Sequence, residues 1–187
     1  MNLNDLLVPT YVQMLQALAT WLRKAQAERP PAEAESLLAA RLAPDMFPLS
    51  TQIRFACVQA QEGMCRLHGK AFPASLQALL DEARNAGERP GSIAEALARI
   101  DETVALVKSL ALQPCDQDEQ RPVAHALPAG MIFDLTAAQF ARDWAVPQFY
   151  FHVMTAYAIL RNQGIGLGKA DYVAHMLGFL RPGTLPQ

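Results

Sequence analysis

The side chains best suited to bind a ligand or take part in chemistry form a polar line across an otherwise apolar segment, residues 146–164. The line runs through Gln148, His152 and Thr155, which are spaced four and three residues apart. If the segment is a helix, this spacing places the three side chains above one another on one face. An unpaired amide or imidazole in a protein core costs about 1–3 kcal/mol, so these groups need hydrogen-bond partners.

His152 has two interpretations. As a functional residue, it would line a ligand pocket between helices together with Gln148, Thr155 and Tyr157. As a structural residue, it would be a buried neutral imidazole that is hydrogen-bonded to Gln148 or to the opposite helix. We favour the structural role, because buried polar groups are usually satisfied within the protein.

The sequence offers few further ligands for a metal ion around His152. A zinc site takes at least three protein ligands, whereas the central stripes of the other predicted long helices carry few acidic residues. The remaining histidines, His68, His125 and His175, fall at a helix end, in a predicted hairpin and in the tail. We therefore predict no bound metal or other cofactor. The alternative is a divalent ion such as zinc or nickel, held by His152 with carboxylates.

The composition indicates a single globular domain that spans residues 1–187. Apolar residues make up 51% of the chain and charged residues 18%, which is typical of a folded protein. The net charge of −2 leaves no basic surplus for binding nucleic acid. No apolar run reaches the ~20 residues that span a bilayer, and the N-terminus lacks the pattern of a signal peptide. We expect a cytoplasmic protein with no membrane partner.

The number and spacing of the cysteines argue against a fold stabilised by disulfides or by zinc. The three cysteines, Cys57, Cys65 and Cys115, include no CxxC pair, which argues against a disulfide framework and against a zinc knuckle. Cys57 and Cys65 lie about two turns apart in one predicted helix, where we expect small buried apolar residues. Cys115 falls in a polar connection and is a candidate for an exposed thiol.

Hydrophobic periodicity predicts four long amphipathic helices. Ser50 or Thr51 caps the second helix, and a capping box of Ser92 and Glu95 starts the third. Pro147 falls in the first turn of the fourth, which is apolar almost all round and is therefore predicted to be buried. The long helices are predicted at residues 4 or 9 to 27, 50–68, 92–112 and 146–164. Shorter helical pieces are predicted at residues 32–40, 75–84, 136–144 and 169–177, and strands at 122–127 and 131–135.

These elements favour an all-α fold, an antiparallel four-helix bundle with a small β-hairpin and short accessory helices at one end. A lone hairpin is marginal in water, so it must lie against the helices. Because the last long helix is apolar on more than one side, we expect a homodimer. The alternative is that the hairpin and the C-terminal piece cover its outer face.

Two segments resemble a known protein family. The first is RLAPDMFPL at residues 41–49, with Gln52 after it; the second is FYFHVMTAYAILRNQG at residues 149–164, followed by GKAD at 168–171. Together they resemble a bacterial family catalogued only as a domain of unknown function, placed among the DinB/YfiT-like four-helix proteins, a fold associated with metalloenzymes. The resemblance implies an up-down-down-up bundle, often dimeric. It is weakest over residues 70–121.

The resemblance also implies a site from which this sequence departs. The better-known relatives hold a divalent metal with three histidines, one from the second long helix and two, four residues apart, from the last. Here His152 falls near the last-helix position, but the residues four before and four after it are Gln148 and Ala156. His68 stands at the end of the second helix rather than in its middle. These matched positions do not supply a three-histidine site.

Three functional hypotheses remain open. The first is a helical-bundle protein without a complete metal site that binds a small ligand or a partner. The second is an enzyme like the better-known relatives, a divalent-metal-dependent thiol transferase or isomerase with altered ligands. The third is a purely structural interaction module. We rank the first highest and leave open whether the protein is an enzyme.

Overall fold

The computed structural model describes residues 2–114, 116, 118–127 and 130–184 and is mainly helical. The long helices are α1 (Leu3–Glu28), α3 (Leu49–Leu67), α5 (Ile93–Ala111) and α7 (Val146–Asn162). The short helices are α2 (Pro31–Ser36), α4 (Ala74–Asn85), α6 (Ala137–Gln139) and α8 (Lys169–Tyr172). Short 3-10 helices cover Leu37–Ala39 and Ala174–Phe179, and a π-helical segment covers Phe140–Ala145. The strands are β1 (Pro122–Ala126) and β2 (Ile132–Thr136).

The predicted four-helix bundle is confirmed. Helix α3 packs against α5 and α7, and α1 packs against the same two helices, so the four long helices enclose one core. Helix α4 lies on the outside of α3. Among the described helices, none is both long and apolar enough to cross a membrane.

A glycine in the C-terminal half of α3 makes room for the ring of Tyr11 in the core. The Tyr11 ring packs edge-on against Phe149, with ring centroids 4.8 Å apart, and both residues are fully buried. A Cβ atom at Gly63 would lie 2.2 Å from the Tyr11 hydroxyl oxygen. A side chain at this position would therefore displace the Tyr11 ring, because packed cores have little free volume.

The helix starts were predicted with mixed success. The capping box of α5 is confirmed: Ser92 Oγ accepts from the Glu95 N–H at 3.1 Å, and a Glu95 carboxylate oxygen accepts from the Ser92 N–H at 2.7 Å. The predicted cap of α3 is wrong, because the helix begins at Leu49, directly after Pro48. Ser50 lies inside the helix and donates instead to the Ala86 carbonyl at the end of α4, at 3.0 Å.

Helix α7 is not buried on every side, which corrects the expectation from its composition. Phe151 is 56% exposed and Met154 is 39% exposed. The helix is also continuous with the preceding short helix through the π-helical segment. Pro147 lies in the first turn of α7, as predicted. Since proline offers no N–H, it suits a point where the spacing of helix hydrogen bonds changes.

The predicted hairpin is confirmed, with His125 of β1 opposite Phe133 of β2. Val123 and His125 are the buried residues of β1 and share its inward face. Residues 128 and 129 of the predicted turn lie outside the described residues, as does Cys115, the candidate exposed thiol. The prediction of buried cysteines is confirmed for Cys57 and Cys65.

Candidate functional site

His152 is held by a hydrogen-bonded chain that joins three parts of the molecule. Its Nδ1 atom lies 2.8 Å from the side-chain oxygen of Gln52 on α3. The Gln52 amide nitrogen donates to the carbonyl oxygen of Phe47 at 3.3 Å. Because the amide nitrogen of Gln52 faces this carbonyl, its oxygen faces the imidazole, and the proton of His152 resides on Nδ1.

The surroundings of His152 keep its ring neutral. Burial lowers the pKa of His152 to about 4. One face of the imidazole stacks on Phe55, with centroids 5.1 Å apart and an angle of 21° between the planes, and the ring of Phe151 packs edge-on at 5.2 Å. A buried imidazole stacked on an apolar ring loses its hydration shell, which disfavours the charged form.

The four predicted site residues differ in their contacts. Thr155 donates from its hydroxyl to the Phe151 carbonyl of its own helix at 2.6 Å, and Gln148 is half-buried. Tyr157 packs against Trp21, at 5.2 Å between centroids, away from His152. Of the two partners predicted for His152, the opposite helix supplies the one observed. A ligand-binding role for these four residues stays a prediction.

The residues around His152 do not fit the three-histidine metal site that the resemblance to the better-known relatives implies. The side chain of α3 that hydrogen-bonds to His152 belongs to Gln52, whose amide oxygen accepts the bond from Nδ1. His68 lies at the C-terminal end of α3, where its Nε2 is 3.2 Å from the Asn4 side-chain oxygen. Within the described ranges, no group of three or more His, Cys, Asp or Glu residues is arranged to hold an ion.

A pocket of about 510 Å³ opens beside the hydrogen-bonded residues His152 and Gln52. Residues of α3, α4, β1 and the π-helical segment line it, and none of the four predicted site residues is among them. Its aromatic walls are Phe55, Phe72 and Trp144. Phe55 thus has two roles, because it also stacks on His152. The volume lies within the range of sites that enclose small molecules.

His125 is a buried imidazole in the pocket wall. Only 3% of the residue is exposed, and neither Nδ1 nor Nε2 has a hydrogen-bond partner in the part of the chain that the structure describes. Its ring packs against Trp144 at 4.3 Å and Phe140 at 5.5 Å between centroids. Burial, with a smaller effect from the Arg66 charge, lowers the pKa of His125 to about 4.

Three charged side chains complete the pocket: Glu62, Arg66 and Arg84. Burial raises the pKa of Glu62, while the charges of Arg66 and Arg84 oppose this rise. Arg66 is held in place, since its Nη1 donates to the Ala124 carbonyl at 3.0 Å and its guanidinium lies 4.9 Å from the centroid of the Phe72 ring. The arrangement combines apolar walls with a partly neutralised cationic edge.

Sequence reasoning identified His125 but assigned it no role. The sequence pattern that could have indicated its burial is the alternation along β1, which places His125 on the same inward face as Val123. Gln52 appeared only as part of the resembling segment. The pocket itself depends on how α4 and the hairpin pack on α3, and no local pattern reports that packing.

Comparisons with known proteins agree with the resemblance. Residues 3–173 match the model of a family described as a domain of unknown function, DUF1993. The chain is similar over its whole length to the crystal structure of a DinB family member protein from Shewanella denitrificans, with 26% identity, 100% of both chains covered and a TM-score of 0.59. No curated protein matches the sequence.

The bond between His152 and Gln52 predicts non-additive mutations. His152→Phe leaves the Gln52 oxygen unpaired, and Gln52→Leu leaves the imidazole N–H unpaired, so each should lower the free energy of unfolding by about 1–3 kcal/mol. The stability loss of the double variant should be smaller than the sum of the two single losses by about 1 kcal/mol. Urea unfolding measures all three. As a control, Thr155→Val should be additive with Gln52→Leu; additivity in the main pair would contradict the assigned bond.

The lowered histidine pKa values predict how stability changes with pH. Below about pH 6.5 the unfolded chain binds protons on His125 and His152 that the folded chain binds only near pH 4, so stability falls as pH drops across this window. Each such histidine contributes a slope of about 1.4 kcal/mol per pH unit.

His125→Phe should remove the contribution of one histidine from this slope. It should not lower stability at pH 7, because the lost ring nitrogens have no partner in the described part of the protein. Urea unfolding of the wild type and the variant at several pH values tests both points. A variant with the wild-type slope, or with a large loss of stability at pH 7, would show that His125 is protonated or paired in the folded protein.

Proposed function

Since this chain belongs to the DUF1993 family and has a DinB-like bundle fold, we propose a function from its pocket: it binds a small, largely apolar molecule between α3, α4 and β1. The observation that carries this proposal is His125, a buried imidazole in the pocket wall whose ring nitrogens have no hydrogen-bond partner among the described residues. Native proteins pair nearly all buried polar atoms, so such an exception needs an explanation. A ligand that completes the hydrogen bonds provides one.

The walls of the pocket favour an occupant with a flat apolar part. Phe55, Phe72 and Trp144 present aromatic surface, and Val58 and Leu80 add aliphatic surface. Aromatic side chains gain additional stabilisation from stacked or edge-on ring contacts. The volume of about 510 Å³ lies within the range of small-molecule binding sites.

We propose that binding needs no resident metal ion. The support is the geometry at His152, where Nδ1 donates a hydrogen bond to the side-chain oxygen of Gln52 at 2.8 Å. Amide side chains at positions 52 and 148 are weak ligands for zinc or nickel, which favour imidazole and thiolate. The alternative function, a divalent-metal-dependent thiol transferase or isomerase, would require ligands other than these.

The predicted homodimer also stays a proposal. Its support is an apolar surface formed by Phe47, Phe151 and Met154, whose side chains are 53%, 56% and 39% exposed. Phe47 and Phe151 lie on either side of the Phe55–His152 stack. Exposed apolar residues in such proximity are typical of surfaces that bind another protein.

N-phenyl-1-naphthylamine, a neutral aromatic probe whose fluorescence rises in apolar surroundings, tests the pocket. It should bind saturably with one molecule per chain. Gln59→Trp enlarges a half-buried side chain of the pocket lining on α3 and should weaken binding at least tenfold by filling the space. Ala105→Trp introduces the same ring at an exposed position on α5, is the matched control and should bind like the wild type.

A second readout is stability. At about a hundred times its dissociation constant, the probe should raise the free energy of unfolding by about 2.7 kcal/mol in the wild type and the control. Equal binding by the wild type and Gln59→Trp would place the probe elsewhere and contradict the proposed site.

A further inference from the structure

We propose that this pocket selects ligands that carry an acidic group, such as an aromatic carboxylate or sulfonate. Arg84 and Arg66 bind this group, while the neutral imidazole of His125 forms a hydrogen bond with the ligand. The inference rests on the proposed function and adds the chemical class of the ligand. It follows from the charges on the pocket wall, the freedom of one arginine and the unused imidazole.

The charges that face the pocket are unequal. Of its described lining residues, Arg66 of α3 and Arg84 of α4 are cationic, Glu62 of α3 is acidic, and His125 of β1 is neutral near pH 7. The formal charge of the wall is therefore positive by one unit. Apolar walls on both sides lower the local dielectric constant, which strengthens the attraction of this charge for an anion.

Arg84 is the side chain with freedom to bind a ligand. It is 48% exposed, and its Nη1 lies 3.7 Å from a carboxylate oxygen of Asp81, a pair at the protein surface. Exposed ion pairs of this kind are weak, so exchanging Asp81 for a ligand anion carries a small penalty. Arg66 is already bound to the Ala124 carbonyl and contributes its charge from a set position.

Glu62 opposes an anion in the same pocket. Its carboxylate is half-buried, and both arginines stabilise its charged form. A ligand anion would share these two cations with Glu62 and would be repelled by it. The sign of this effect separates electrostatic recognition from a general effect of mutation, because removing Glu62 should strengthen the binding of an anion.

Two probes of nearly the same shape test the inference: 1-anilinonaphthalene-8-sulfonate, an anion, and N-phenyl-1-naphthylamine, which lacks the sulfonate. Arg84→Gln should weaken sulfonate binding about tenfold, the effect of losing a charge-assisted hydrogen bond. Glu62→Gln should strengthen it about threefold. Both variants should change the affinity for the neutral probe less than twofold. Arg23→Gln, an exposed arginine on α1, is the matched control and should change neither affinity.

The outcomes separate the two proposals. Equal effects of Arg84→Gln on both probes, or weaker sulfonate binding in Glu62→Gln, would overturn the inference while leaving a binding pocket in place. Failure of both probes to bind the wild type would overturn the proposed function, and the inference with it. Raising the salt concentration should weaken sulfonate binding alone, because screening acts on the charged probe.

Discussion

The interaction on which the structure depends is the hydrogen-bonded chain from His152 through Gln52 to the Phe47 carbonyl. It joins α7 to α3 and fixes the loop that precedes α3, so the two segments that carry the family resemblance meet at one point. Both side chains are buried, and each would destabilise the core without the other. The bond therefore specifies one pairing of α3 and α7 and sets the imidazole in one tautomer.

Two buried histidines in this molecule differ in their hydrogen bonding, and the contrast supports the proposed binding site. His152 has its partner within the protein, whereas His125 has none among the described residues. Phe55 lies between the two environments: it stacks on His152 and forms a wall of the pocket that His125 also lines. Because Phe55 is held by its contact with His152, it gives the pocket a rigid wall. A rigid wall lowers the entropic cost of binding.

Patterns along the chain predicted the long helices, the hairpin and the capping box, because periodicity and capping are local properties. They did not choose between Gln148 and the opposite helix as the partner of His152, since Gln52 is 100 residues away. Composition made α7 look wholly buried, yet Phe151 and Met154 lie at the surface. The pocket arises from three elements that pack on α3. Only that packing shows that the ring nitrogens of His125 are buried without a partner among the described residues.

The most direct test of this account is a long-range ¹H–¹⁵N correlation spectrum of the His152 imidazole during a pH titration, assigned by its loss in His152→Phe. The account predicts a proton on Nδ1 in the neutral ring, a pKa of about 4, and signals that do not shift when one equivalent of zinc or nickel is added. A proton on Nε2, a pKa near the ordinary value of 6.5, or a shift with either metal would contradict it.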